Sequence, residues 1–310
     1  MAHKSYEDIE REASSTGALV EPGPGTPAVA GRQLAFMTID LEDYRRQELR
    51  DHMGDPQPPH PREVSYQADL MLRLLDDVRV KATFFAVGRL ARELDPALWR
   101  EIADRHEIGC HGQEHIRVDQ LGPRRFLQEL HAAKAALGDR VQKRIVSFRA
   151  PYFSVDGCDP WFGRSLAIAG FKLDCSMRMR AVPAGFSGFL ALPGSAGAVL
   201  SIPLPCLGFG AKRVTVIGGT YFRLFPIRLI ELLLRQGAQH GFLPMVYLHP
   251  YDADVAARPL EYPRLRFARD TVADRVRRGG RASVARKVRA LVRGYSFRPV
   301  ETVLSRPCTS

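Results

Sequence analysis

LAFMTID, residues 34–40, is a short apolar run that ends on a carboxylate, and it reads as a buried strand. From there outward, helical and strand-like segments alternate. Leu70, Met71, Leu74, Leu75 and Val78 recur at helical spacing, and VKATFFAVG (80–88) follows as a strand closed by Gly88. PALWREIADRH is a helix with Pro96 near its start, and EIGC is a short third strand. RRFLQELHAAKAAL is amphipathic on Phe126, Leu127, Leu130 and Leu137. IVSFRAP, FKLDCS and GAVLSIPLP supply further strands, with the helix PWFGRSLAIAG between the first two. The helix FPIRLIELLLRQGAQ leads into FLPMVYLHP (242–250), the last strand of the series. This order predicts an α/β fold, a distorted barrel of about seven parallel strands made of βαβ units. Such barrels carry their chemistry at the C-terminal ends of the strands.

The residues that follow the strands are polar in five places. The first strand ends at Asp40, with Leu41, Glu42 and Asp43 behind it. EIGC is followed by His111, with His115 four residues on. The third station is Arg149-Ala-Pro151-Tyr152, the fourth Asp174, the fifth His249. Each has an ordinary reading: a carboxylate after a strand caps a helix, histidines fill cores, and an Arg-x-Pro pairs ions at a turn. Together they make a coherent set. If residues 112–115 begin a helix, His111 and His115 share one face and can bind a single ion with one carboxylate. A second carboxylate to take a proton from water and a histidine to protonate a leaving amine complete a metal-assisted amide hydrolysis.

The stations in this order resemble the polysaccharide deacetylases, the NodB-homology family of carbohydrate esterases (family 4), over about residues 34–252. MTIDLED, HGQEH, RAPY, LDCS and LHPYD stand where that family has its five motifs. DLEDY, GGTYFRLFP and LHPYD further resemble the subgroup found with exopolysaccharide export and exosortase loci. The resemblance implies that Asp40 is the base that activates water, oriented by Arg149, and that His111 and His115 bind the metal. It implies that the N–H of Tyr152, in the turn begun by Pro151, helps form the oxyanion hole. His249 would be the general acid and Asp174 its orienting carboxylate. Three features depart from the family's pattern. Leu41 replaces the usual metal aspartate, so Glu42 is the expected third ligand, with Asp43 as competitor. Cys175 replaces a tryptophan, and no export signal is seen. The implied cofactor is a divalent ion, Zn2+ first and Co2+, Ni2+ or Fe2+ as alternatives. The implied reaction removes an N-acetyl or other N-acyl group from an amino sugar, in a polysaccharide or in a lipid- or nucleotide-linked precursor. The alternatives are a hydrolase of a small non-sugar amide and a non-catalytic protein that binds glycan or a membrane surface.

The totals agree with an ordinary folded protein. The chain has 310 residues, 45% of them hydrophobic, enough for a sizeable core. Its five cysteines are scattered with no CxxC pair, which argues against a disulfide framework or a thiolate zinc site. No signal peptide or spanning segment is read, so a cytoplasmic location is expected, at most peripheral to the inner membrane. Residues 1–32 read as a flexible leader, 33–257 as the catalytic domain and 258–310 as a basic extension packing on the barrel or a surface. Arg258 to Arg298 holds 13 Arg/Lys against 3 acidic residues, so +10 of the net +11 lies there. That charge suits phosphate or an anionic membrane surface. Nucleic acid is not expected, because the arginines lack interleaved aromatics.

Overall fold

Alternation along the first long strand organises the molecule. The computed structural model describes residues 28–29, 31–54, 57–155, 159–180, 182–183, 186, 188–209, 212–215, 217–257, 275–276 and 278–304. Most of the leader expected over residues 1–32 lies outside these, as does the first part of the basic stretch, 258–274. The strands in chain order are β1 (Ala28–Val29), β2 (Arg32–Leu41), β3 (Thr83–Ala86), β4 (Glu107–Cys110), β5 (Ser147–Phe148), β6 (Leu173–Asp174), β7 (Arg178–Met179), β8 (Leu190–Ala191), β9 (Leu200–Ser201), β10 (Leu204–Pro205), β11 (Leu207–Phe209), β12 (Lys212–Val214), β13 (Met245–Leu248) and β14 (Tyr295–Arg298).

Ten of them form one sheet, ordered β1-β2-β3-β4-β5-β6-β9-β8, with β13 and β14 also paired to β2. Its ladders are parallel except for the antiparallel flanks β1 and β8. The seven expected strands are β2 to β6, β9 and β13. An eighth parallel strand, β14, comes from YSFR, which carries no strong strand signal and follows directly on a basic helix. Among the described residues no ladder joins β8 to β13, so the sheet curls into a half-barrel without closing.

Period-two alternation sorts the side chains into two layers. From β2, Ala35, Met37, Ile39 and Leu41 join the outer core beneath the helices, while Leu34 and Phe36 join a smaller inner cluster. Phe84, Cys110, Phe148, Val246 and Leu248 continue the outer layer. Phe85, Leu173, Cys175 and Met245 continue the inner one. Thr38, Asp40 and Glu42 therefore lie on the inner side, with Gly109 and His111, Ser147 and Arg149, and Tyr247 and His249.

Helices cover the outer layer. Pro61–Asp77 starts with proline at its first turn and buries Val64, Ala68, Met71, Leu72 and Leu75. Apart from Ala68, each of these side chains, fully buried, contributes about 1.5–3 kcal/mol. Pro96–Arg105, Gly122–Val141, Pro160–Ile168 and Ile227–Gln239 follow the expected pattern. Gly88 lets the helix 122–141 approach, since a Cβ there would stand 2.7 Å from the Cα of Ala133. The helix Tyr44–Met53 was not expected from its weak amphipathicity.

Two basic residues of the C-terminal stretch have internal partners. Lys287 Nζ donates to the carbonyls of Phe222 (2.8 Å) and Arg223 (2.6 Å), and Arg281 Nη1 to that of Asp254 (3.0 Å). Their charge is buried structure rather than an open anion-binding face. No helix among the described residues is long and apolar enough to cross a membrane.

The end of the sheet opposite the site holds a buried carboxylate. Glu107 accepts from Ser147 Oγ (2.6 Å), Thr83 Oγ1 (2.5 Å) and the N–H of Glu301 (3.0 Å). Burial outweighs these bonds and pushes Glu107 up to about 7 from 4.5. The folded protein keeps a proton that the unfolded chain has already released. This contribution to stability is full below about pH 4.5 and is lost as pH rises through about 7. Between about pH 5 and 8 the protein is expected to lose up to about 3 kcal/mol. Glu107→Gln, which keeps the hydrogen-bonding shape, should flatten that slope in urea unfolding. Parallel slopes for the two proteins would rule out Glu107 as the source.

Candidate active site

The inner residues converge at the C-terminal ends of β2, β4, β5 and β13, around a cavity of about 190 Å³ lined by Asp40, Glu42, His111, His115, Tyr152 and His249. Asp40 and Glu42 stand two apart on β2 and its exit, so both face in, whereas Leu41 between them is wholly buried in the outer core. Leu41, at the position where the resemblance expects a metal aspartate, thus faces the helices here.

Glu42, His111 and His115 form a triad whose nearest ligand atoms all lie within 4.8 Å of one another. His115 Nε2 is 2.8 Å from Glu42 Oε2. His111 Nδ1 lies 2.8 Å from the carbonyl of Arg149. A carbonyl only accepts, so Nδ1 carries the proton and Nε2 keeps its lone pair. Burial lowers His111 to about 4, keeping it neutral near pH 7. Burial would raise Glu42, but His115 above all, then His249 and His111, bring it down to about 2. Two neutral-capable imidazoles and one ionised carboxylate are the donor set that a divalent cation such as Zn2+ takes, so these residues fit the expected metal.

Asp43 has other work. Its carboxylate accepts from the N–H of Arg46 (3.0 Å) and of His60 (2.7 Å), capping the helix Tyr44–Met53. The competitor for third ligand is thus a helix cap, facing the opposite way from Glu42.

The expected helical start at residues 112–115 is absent. Residues 111–117 form an irregular loop, with Gly112 (φ 76°) and His115 (φ 54°) both left-handed. A non-glycine residue in that region is strained, and the strain sits on a metal-ligand candidate. The two imidazoles still meet, with centroids 5.0 Å apart. Arg50 fastens the loop by donating to the carbonyls of Glu114 (3.0 Å) and His115 (3.1 Å).

Arg149 is fully buried and reads Asp40 directly. Nη1 donates to Asp40 Oδ1 (2.7 Å) and Thr38 Oγ1 (2.9 Å), Nε to the carbonyl of Cys175 (3.3 Å). The Phe85 ring lies 4.3 Å beneath the guanidinium. Cys175, where the family has tryptophan, joins the inner cluster. Pro151 opens the short turn Pro151–Phe153, in which Tyr152 has φ 57° and ψ 15°. The Tyr152 ring packs 4.7 Å from His115, and its hydroxyl donates to Asp51 (2.5 Å).

Asp174 does not reach His249. Leu173 and Cys175 face in, so Asp174 between them faces out, where its carboxylate accepts from Ser201 Oγ (2.7 Å) and the N–H of Ser176 (3.1 Å). The carboxylate on His249 is Asp252, whose Oδ2 lies 3.1 Å from Nδ1 and accepts from the His249 N–H at 2.8 Å. Asp252 in turn pairs with Arg223 Nε at 2.8 Å, both side chains being buried. Burial disfavours the imidazolium, but the Asp252 bond and charge prevail, with Glu42 and Asp40, and raise His249 to about 9. Asp252, beside His249, and Arg223, beside Asp252, are candidate site residues that sequence reasoning missed. The His-x-x-Asp spacing of LHPYD at a proline-started turn was the available signal for the first.

Residues 64–157 match the family model for polysaccharide deacetylase, and residues 180–305 match that of a domain of unknown function, DUF3473. Residues 64–157 thus carry a polysaccharide deacetylase domain of the NodB type, and DUF3473 is the domain known from the exopolysaccharide-associated subgroup. The first segment contains His111, His115 and Arg149, the second Arg223, His249 and Asp252. A curated Bacillus cereus peptidoglycan-N-acetylglucosamine deacetylase is 27% identical over 108 residues, 35% of this chain and 39% of that protein. The chain thus matches about two fifths of that relative's length. A solved Mycobacterium smegmatis structure described as a polysaccharide deacetylase superposes with a TM-score of 0.53 at 20% identity, covering 90% of this chain and 97% of the other. At that identity the likeness establishes the fold.

Proposed function

We propose that the protein is a metal-dependent hydrolase that removes an N-acetyl group from an amino sugar, in a polysaccharide or in a lipid- or nucleotide-linked glycan precursor. The observation that carries this is the meeting of the Glu42–His111–His115 triad, Asp40 and His249 in one cavity, with Arg149 holding Asp40 and Asp252 holding His249 from behind. Glu42, His111 and His115 would hold the cation, which when bound polarises the amide carbonyl and makes water a better nucleophile.

The chain's own residues supply the proton traffic. Asp40 takes a proton from the attacking water, and Arg149 holds the carboxylate in place through a charge-assisted bond. The main-chain N–H of Tyr152 faces the oxygen that gains charge. His249 donates its proton to the departing nitrogen, and Asp252, steadied by Arg223, keeps the imidazolium charged for that step. Acetate and a free amine are the products.

The test is mass spectrometry of products from a panel of N-acetyl sugars, free, nucleotide-linked and lipid-linked, with and without chelator. Loss of about 42 Da per acetyl group (replacement of C2H3O by H), abolished by chelator, is expected. Turnover that survives thorough chelation would remove the metal from the mechanism.

A further inference from the structure

Tyr152 lines two cavities: the site itself and a neighbouring groove of about 590 Å³. Arg46, Arg50, Arg89 and Arg117 line this groove, against the carboxylates of Asp51 and Glu114. Three of these arginines have close partners. Arg46 pairs with Glu93 at 2.7 Å, Arg50 with Asp51 at 3.0 Å and Arg117 with Asp119 at 2.6 Å. Arg89 is different. It is 8% exposed, and among the described residues its Nη1 reaches only Glu114 Oε2 at 3.3 Å and its buried Nε and Nη2 have no hydrogen-bond partner. A buried guanidinium with two unused donors is an unfavourable arrangement unless something brings acceptors to it. Burial and then the nearby Arg46 charge both loosen its hold on its proton, a pressure that an added anion relieves.

The groove is joined to the catalytic cavity by structure as well as by position. Arg89 follows Gly88, and the backbone N–H groups of both residues donate to the loop carbonyls of Gln113 and Gly112. Arg50 holds the carbonyls of Glu114 and His115 in the same loop. Arg117 lies over the outer side of the Tyr152 ring, 5.8 Å from its centroid. A planar fork of donors suits an oxyanion better than a neutral sugar hydroxyl.

We propose that this groove is a substrate subsite for an oxyanion carried by the glycan, a phosphate or a uronate carboxylate, held by Arg89 and Arg117 next to the N-acetyl sugar. It rests on the deacetylase reading for the identity of the neighbouring sugar, but anion binding can be measured without it. The full chain is titrated calorimetrically with inorganic pyrophosphate and with glucuronate, in chelator and about 0.15 M salt, so that neither a metal nor loose charge attraction contributes. Arg89→Gln and Arg117→Ala are compared with the wild type; Arg117 has a 42% exposed side chain, so its removal spares the fold. At least tenfold weaker binding in the variants is expected. Equal affinity in all three proteins, or no binding to the wild type, overturns the subsite.

Kinetics then tell the anion sources apart. An N-acetylglucosamine tetramer, uridine-diphosphate N-acetylglucosamine and an alternating N-acetylglucosamine–glucuronate tetrasaccharide are compared as substrates. KM for the phosphate-bearing or the uronate-bearing substrate should rise tenfold or more in the variants, with that for the neutral tetramer unchanged. An equal rise for the neutral tetramer overturns the subsite. Anion binding that depends on Arg89 and Arg117, with no acetate released from any substrate, overturns the deacetylase reading and leaves the subsite standing.

Discussion

Alanine at His111 or His115 leaves a folded protein that retains no stoichiometric divalent ion and releases acetate about 10³-fold more slowly. Both imidazoles are buried beside Glu42, so each loss leaves a two-donor site open to water. Glu42→Ala is expected to behave the same way. Asp43→Ala is the informative contrast. It should keep the ion and cost about 1 kcal/mol of stability, the usual loss for a helix cap. Metal content by elemental analysis and urea unfolding distinguish the four variants. Ion retained by Glu42→Ala and lost by Asp43→Ala would reverse the ligand assignment.

Asp252→Asn lowers turnover by about 10²-fold while the ion stays bound, the lower range for loss of a positioned proton donor. The amide keeps the shape but not the charge that holds His249 protonated. It also leaves Arg223 buried beside a neutral group, so a loss of about 3 kcal/mol in unfolding free energy accompanies the kinetic defect. Asp174→Asn should leave kcat within a few-fold, because its carboxylate faces Ser201 and Ser176. If Asp174→Asn proved the more damaging of the two to kcat, the pairing of His249 with Asp252 would lose its catalytic meaning.

Much of the site was legible because strands alternate and βαβ barrels gather strand ends. The apolar run ending at Asp40, the histidines after EIGC, RAPY and LHPYD each mark the exit of a strand that the structure contains. The sequence also held a signal that favours Glu42 over Asp43. Asp40 and Glu42 share a parity, and Asp43 precedes ten residues that fold as a helix. Asp174 misled for the same reason that parity works. Its place in the motif order was right for a catalytic residue, but its parity, opposite to Leu173 and Cys175, turns it away from the cavity.

What the sequence determined by itself was therefore local and periodic: which residues end strands, and which side of each strand they face. The left-handed loop that brings His111 and His115 together was invisible to it, since distant groups hold that backbone: Arg50 on the carbonyls of Glu114 and His115, and the N–H groups of Gly88 and Arg89 on those of Gly112 and Gln113. So were β14, which completes β2 from more than 250 residues away, and the Arg223–Asp252–His249 relay. So too was the partly satisfied guanidinium of Arg89. These depend on which distant segments come to lie side by side, and the free energy that decides it belongs to packing and buried charge rather than to any one stretch of chain.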